Sequence, residues 1–304
     1  MAATAHLALV GPTASGKSAL ALELARRLPD VELVCVDSMQ VYRGMDVGTA
    51  KPTTAERAEV PHHLLDLADP DEEYSVARFQ RDARRAIAGI EERGHRALLV
   101  GGTGLYLRAV VDGLDLPGEW PQLRSELEAD AEADTDALHR RLAALDPTTA
   151  ARTAPSNRRR VVRALEVTVG SGRPFSSFGP GLTAHPPSRF VQAGVWLPRP
   201  VVARRIAERF DAMLAAGLVE EVRALTRRPA GLSRTARQAL GYREVLGHLS
   251  GECSLAEAAD EAVRRTRAFA RRQRMWFRRD PRVTWYGTSA NPFAVLPALL
   301  GDWG

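Results

Sequence analysis

Gly11-Pro12-Thr13-Ala14-Ser15-Gly16-Lys17-Ser18 sets two glycines five residues apart and follows the second with a lysine and a serine. It comes after the apolar run Leu7–Val10 and before a helical pattern that opens near Lys17, the context of a phosphate-binding loop of Walker A spacing. Glycines let backbone N–H groups converge on phosphate oxygens, and the helix N-terminus adds a positive dipole. Lys17 neutralises charge, and the Ser18 hydroxyl is a ligand for Mg²⁺. Lys17 and Lys51 are the only lysines among 42 basic residues. The cradle takes a compact ammonium on a flexible stem and excludes a broad planar guanidinium, so Lys17 is the expected exception. Lys51, in Gly48-Thr49-Ala50-Lys51-Pro52, is open to a site-related role or to chance placement.

A nucleotide hydrolase of this kind ends a second apolar strand in a metal-supporting aspartate. Here Ala97-Leu98-Leu99-Val100 runs instead into Gly101-Gly102-Thr103. A carboxylate stands at the end of a different strand, in Val36-Asp37-Ser38-Met39-Gln40-Val41-Tyr42. In a parallel sheet the C-terminal strand ends share one edge, so Asp37 should face the crevice of the phosphate loop. Capping a turn, serving as a general base and partnering a metal are the roles open to it. His62 and His63 lack the neighbours of a ligand cluster and read as structural or substrate-positioning residues.

These groups need a parallel α/β scaffold, and the first third supplies its alternation. Strands are expected at His6–Val10, Glu32–Val36, His62–Asp66 and Arg96–Val100, with helices at Lys17–Leu28, Ser75–Arg93 and from Gly104. From Gly113 to Pro187 the pattern turns polar, alanine-rich and helical, at Pro121–Glu132, Thr135–Leu145 and Asn157–Val169, before the loop Gly170–Ser188. A strand at Arg189–Leu197, helices at Val201–Ala216 and Leu255–Asp280, and a last strand at Arg282–Tyr286 complete the chain. The fold class is α/β, a P-loop NTPase-like parallel sheet flanked by helices, with an all-helical insertion. Residues 1–112 and 188–304 form the core, and 113–187 the insertion.

Charge is distributed unevenly. Residues 1–112 carry 13 basic and 16 acidic side chains, 113–150 carry 3 and 9, and 151–304 carry 26 and 12. The C-terminal half is therefore the part suited to a polyanion. Cys35 and Cys253 make neither a disulfide framework nor a zinc spacing. No apolar run is long enough to span a bilayer, and Met1–His6 has no signal pattern, so a cytoplasmic protein is expected.

The motifs in order identify a family resemblance: Gly11–Ser18, Asp37–Tyr42, Gly48–Pro52, His62–Asp66, Gly101–Tyr106, Asn157–Glu166, Gly241-Tyr242 and Arg272–Phe277. Over nearly its whole length the chain resembles the tRNA isopentenyltransferase family in its bacterial form, without the zinc finger of eukaryotic relatives. The resemblance implies transfer of a dimethylallyl group from dimethylallyl diphosphate to the N6 amine of the adenine just 3′ of the tRNA anticodon. The phosphate loop would then hold a leaving diphosphate with Mg²⁺, and the missing hydrolytic aspartate is no defect. Asp37 becomes the base, Thr13 and Lys17 assist at the diphosphate, and Arg205 or Arg209 closes over it. Asp37, Ser38, Met39, Gln40 and Thr103 would contact the flipped base. Arg124, Arg158, Arg159, Arg160, Val161, Val162 and Arg163 would meet the tRNA, with Arg124 equally readable as an ion-pair partner of acids on its own helix. A monomer is expected. A small-molecule kinase or an adenylate isopentenyltransferase shares parts of this pattern, but the kinase leaves the basic half and the insertion without a role.

Overall fold

The computed structural model describes residues 5–179 and 181–304; Met1–Thr4, read above for a leader, and Pro180, in the Gly170–Ser188 loop, lie outside the described residues. The chain opens with β1 (His6–Val10), α1 (Lys17–Arg27), β2 (Val31–Val36), α2 (Thr54–Glu59), β3 (His62–His63), α3 (Val76–Glu92), β4 (Arg96–Gly101) and α4 (Gly104–Val111). Helices α5 (Pro121–Ala133), α6 (Thr135–Leu145), α7 (Pro147–Ala151) and α8 (Arg158–Ser171) follow without a strand among them. Then come β5 (Phe190–Trp196), α9 (Arg199–Ala215), α10 (Leu218–Thr226), α11 (Arg234–Arg237), α12 (Tyr242–Leu249), α13 (Leu255–Phe277), β6 (Val283–Gly287) and α14 (Leu296–Trp303).

The six strands are all parallel, in the order β3-β2-β4-β1-β5-β6. Helices cover both faces, which is why the inner strands read as unbroken apolar runs. Alternate residues go to opposite sides. Ala8, Val10, Val34, Val36, Ala97 and Leu99 pack with Phe79, Ile87 and Tyr242, whereas Leu7, Leu9, Leu33, Leu98 and Val100 pack with Leu20, Leu24 and Leu299. The expected strand His62–Asp66 stops at His63, because Leu64 and Asp66 take the left-handed backbone, with φ of 67° and 57°. The long helix ends at Phe277 rather than Asp280, ahead of Pro281, which cannot continue it.

The chain forms two compact units, residues 1–111 with 187–304 and residues 112–186. The smaller has its own apolar centre, in which Leu127, Leu138, Leu142, Val161 and Leu165 are buried. Within it Glu166 is fully buried and accepts from the backbone N–H of Trp120 and the guanidinium of Arg124. Together with Arg163 these groups hold the Glu166 carboxyl below its ordinary pKa, against the opposing and largest effect of burial.

Candidate active site

Parallel strands deliver their C-terminal ends to one edge of the sheet, and the loops after β1, β2 and β4 carry the residues of interest. After β1, Gly16 adopts φ 85° as the cap of α1, and a side chain there would run into Pro292 at 2.4 Å. Only glycine satisfies both conditions. The helix dipole of α1 thus opens at Lys17, whose Nζ donates to the Pro12 carbonyl at 3.1 Å. Burial first, and then the Arg209 charge, lower the Lys17 pKa to about 8, with Asp37 pulling the other way. The Arg209 guanidinium is lowered by burial and raised by Asp37, and its Nη1 donates weakly to Thr13 Oγ1 at 3.4 Å. Arg205 lies beside Gly16, its Nη2 3.4 Å from where a Cβ would stand. Both arginines therefore flank the phosphate loop, Arg209 at Thr13 and Arg205 at the helix cap. Ser18 is exposed on the first turn.

Asp37 follows β2 directly. Its Oδ1 accepts from the Met39 N–H at 2.8 Å, and its Oδ2 has no partner among the described residues. The loop that it begins is pinned along its length. Gln40 Nε2 donates to the carbonyls of Thr49 and Ala50, at 3.1 and 3.2 Å. Glu221 accepts from the N–H groups of Asp46, Val47 and Gly48 and from the Tyr242 hydroxyl. The Lys51 side chain is 1% exposed, and its Nζ reaches the Tyr42 carbonyl at 2.7 Å, Asp46 at 2.5 Å and Asp66 at 2.7 Å. Lys51 is thus the internal clamp of this loop and has no remaining donor for a substrate. His63 Nε2 lies 2.7 Å from the buried Glu32 carboxylate, and His62 Nδ1 lies 2.7 Å from the Val60 carbonyl. Neither histidine belongs to a metal cluster, since among the described residues no group of three or more His, Cys, Asp or Glu could hold an ion.

The loop after β4 is braced by α13. Gln273, 6% exposed, accepts the Thr13 N–H at 2.8 Å and donates Nε2 to the Gly102 carbonyl at 2.9 Å. A side chain at Gly102 would meet Gln273 at 2.2 Å, and one at Gly104 would meet the Trp276 indole at 2.2 Å. Gly102 and Gly104 leave room for α13 to press on the turn, Gly101 lets it pass against Val36 of β2, and Thr103 opens α4 beside it, its carbonyl accepting from Leu107. Phe277 is core, and Trp276 packs against the core.

In the smaller unit the basic run divides by what each side chain already holds. Arg158 reaches the Glu128 carbonyl and Glu132, and Arg163 reaches the carbonyls of Pro117 and Gly118 and the carboxylate of Glu166. Arg124 is paired with Glu166 on α8, not with an acid of its own helix. Arg159 and Arg160 are exposed and have no partner among the described residues. Val161 and Val162 are 0% and 3% exposed, inside the unit's core.

The IPP transferase family profile matches residues 40–280, and an isopentenyl transferase profile matches residues 4–67. The chain belongs to the IPP transferase family. This family member is 52% identical to the tRNA dimethylallyltransferase of Salinispora tropica, over 98% of its own length and 93% of the relative's. It is 49% identical to that of Geobacter metallireducens, over 96% and 95%. Among solved structures it resembles the tRNA isopentenylpyrophosphate transferase of Bacillus halodurans, with TM-score 0.72, 39% identity and coverage of 99% and 95%. It also resembles a eukaryotic dimethylallyltransferase acting on tRNA, with TM-score 0.77, 25% identity and coverage of 94% and 74%. In this IPP transferase the structure brings Thr13, Lys17, Asp37 and Arg209 together, and adds Gln273, which sequence reasoning missed. Gln273 lies 260 residues from Thr13 and 171 from Gly102, so its place in the Arg272–Phe277 motif did not reveal the two turns that it joins.

Proposed function

We propose that this chain acts as a tRNA dimethylallyltransferase through a P-loop that holds the diphosphate of dimethylallyl diphosphate as leaving group. The observation that carries this reading is one electrostatic neighbourhood. Arg209 reaches Thr13 Oγ1 at 3.4 Å and Lys17 Nζ reaches the Pro12 carbonyl at 3.1 Å, so both cations stand at the phosphate loop, within the influence of the Asp37 charge. Two cations beside backbone N–H groups stabilise the oxygens on which charge develops, and a carboxylate with one open oxygen takes a proton. In the reaction the adenine N6–C1 bond forms as the C1–O bond breaks. The electron pair leaves with the diphosphate, and the N6 proton passes to Asp37 Oδ2. Ser38 and Thr103, in the loops that follow β2 and β4, are the residues we assign to receiving the displaced base.

The donor set suits Mg²⁺. Ser18 offers one hard oxygen and no cage, the arrangement in which this ion takes most of its ligands from phosphate and water. Bound there, Mg²⁺ would neutralise charge on the departing diphosphate. Arg159 and Arg160 supply open cations for the acceptor's phosphates. No helix of the described residues is long and apolar enough to cross a membrane, and we assign the enzyme to the cytoplasm as a monomer.

Replacing Asp37 with Asn tests the reading. Donor and tRNA binding should persist while single-turnover prenyl transfer falls roughly a hundred- to ten-thousandfold. A near wild-type rate would remove Asp37 from the chemistry.

A further inference from the structure

The segment that Asp37 begins turns back on itself between Asp46 and Lys51, in a shape that its own residues do not favour. Ala50 takes φ 48°, the left-handed region that an alanine rarely adopts. Backbone bonds close the turn, from the Ala50 N–H to the Val47 carbonyl at 3.1 Å and from the Lys51 N–H to the Asp46 carbonyl at 3.0 Å. Contacts from outside must keep it in place. The Lys51 ammonium binds Asp46 and Asp66. A carboxylate from α10, 175 residues from Asp46 in sequence, does the rest. Glu221 Oε2 accepts from the N–H groups of Asp46 and Val47 at 2.9 and 2.8 Å, and Oε1 accepts from that of Gly48 at 3.2 Å and from the Tyr242 hydroxyl. Gly48 lies so close to the buried Tyr242 that a Cβ there would meet its ring at 2.4 Å.

The consequence reaches Gln40. Its Nε2 donates to the carbonyls of Thr49 and Ala50, so both amide hydrogens are used by the turn. What remains is Oε1, an acceptor with no partner among the described residues. A glutamine free to rotate offers a donor or an acceptor and discriminates poorly between base edges. One whose donors are spent offers an acceptor alone, which suits an exocyclic amine and leaves a carbonyl unpaired. The end of the amide that is left open is therefore decided by where the Thr49 and Ala50 carbonyls are held.

We propose that Glu221 is a positioning residue for the acceptor base: by gathering the N–H groups of Asp46, Val47 and Gly48 it holds the Thr49 and Ala50 carbonyls against Gln40 Nε2, so that Gln40 keeps Oε1 for the tRNA. Glu221 itself touches no substrate and acts through Gln40. This role rests on the chain's activity as a tRNA prenyltransferase and on the assignment of Gln40 to the displaced base and its neighbours. The site requires a carboxylate. Each oxygen of Glu221 faces at least one backbone N–H, so a glutamine at 221, whichever way it is turned, sets an NH₂ against a donor.

The test is a double-mutant cycle on label transfer from dimethylallyl diphosphate to tRNA by the full chain, with Glu221→Gln set against Gln40→Ala. Alone, Glu221→Gln should lower kcat/KM for tRNA by about tenfold or more while donor KM moves by less than about twofold. In the Gln40→Ala background it should cost less than about threefold, because the contact that it protects is already gone. Tyr242→Phe removes one bond to Glu221 and leaves the turn's own bonds alone. It should give a smaller loss, about threefold, that likewise disappears beside Gln40→Ala, and it carries the cycle if thermal unfolding shows that Glu221→Gln does not fold. Equal losses with and without Gln40, an effect on Tm alone, or a donor KM that rises as much as that for tRNA makes Glu221 a structural residue and overturns the proposal. Wild-type chain that transfers no label to tRNA overturns the underlying activity as well, so the unmutated control separates the two failures.

Discussion

Lys17 pays for its role in the empty enzyme: its pKa is lowered to about 8, chiefly by burial, so holding it protonated at pH 7 opposes folding. The unfolded chain binds more protons between pH 8 and the ordinary value of 10.5, so stability from this residue rises with pH across that window. Lys17→Met should therefore raise the Tm of the ligand-free protein at pH 7 while abolishing the Tm increase that diphosphate produces in the wild type. A lower Tm in the variant would mean that the ammonium is a net structural asset. At this scale the sequence was readable where spacing itself encodes geometry, as at Gly11–Ser18 and at Asp37 after an apolar strand. Lys51 was not readable, because its acceptors are a carbonyl and two carboxylates of a loop whose path no local pattern reveals.

Among elements, the strands were the most legible, since burial on both faces leaves apolar runs with sharp ends. What failed to show was how helices from the distant half brace the catalytic turns. Gln273 on α13 joins the turns after β1 and β4 through both ends of one amide. Gln273→Leu keeps the volume and removes both bonds, and should lower kcat by about tenfold or more with a smaller change in donor KM. An unchanged kcat with a fallen Tm would make Gln273 only a packing residue. On the opposite side of the same logic, buried Glu32 ties β2 to His63 of β3 and to Arg93 and His95 before β4. Arg93 is the main cause that holds its pKa at about 2, with burial opposing. Its stabilisation is present at neutral pH and is lost as pH falls from about 4.5 through about 2. Glu32→Gln should thus be less stable than wild type at pH 7, by on the order of 3 kcal/mol at most, with the gap closing in acid. Denaturant melts at pH 7 and at low pH check this.

At the scale of the whole molecule, the excess of basic residues after residue 150 pointed to a polyanion, but charge counting could not tell occupied arginines from open ones. Arg158, Arg163 and Arg124 are spent largely within their unit, and Val161 and Val162, although inside the same motif, are its core. Their apolar character within an arginine run was the available signal. Arg159→Ala with Arg160→Ala should weaken tRNA binding and reduce the slope of log affinity against log salt by about 1.5 to 2, if each meets one phosphate. An unchanged slope places the tRNA contact elsewhere. The central claim, that this P-loop serves prenyl transfer to tRNA, is tested most directly by incubating the chain with Mg²⁺, unmodified tRNA and C1-labelled dimethylallyl diphosphate, then digesting the tRNA to nucleosides. The account predicts label on N6 of the adenosine 3′ to the anticodon, with one diphosphate released per label, whereas unlabelled tRNA alongside labelled free AMP, or phosphoryl transfer from ATP to a metabolite, would contradict it.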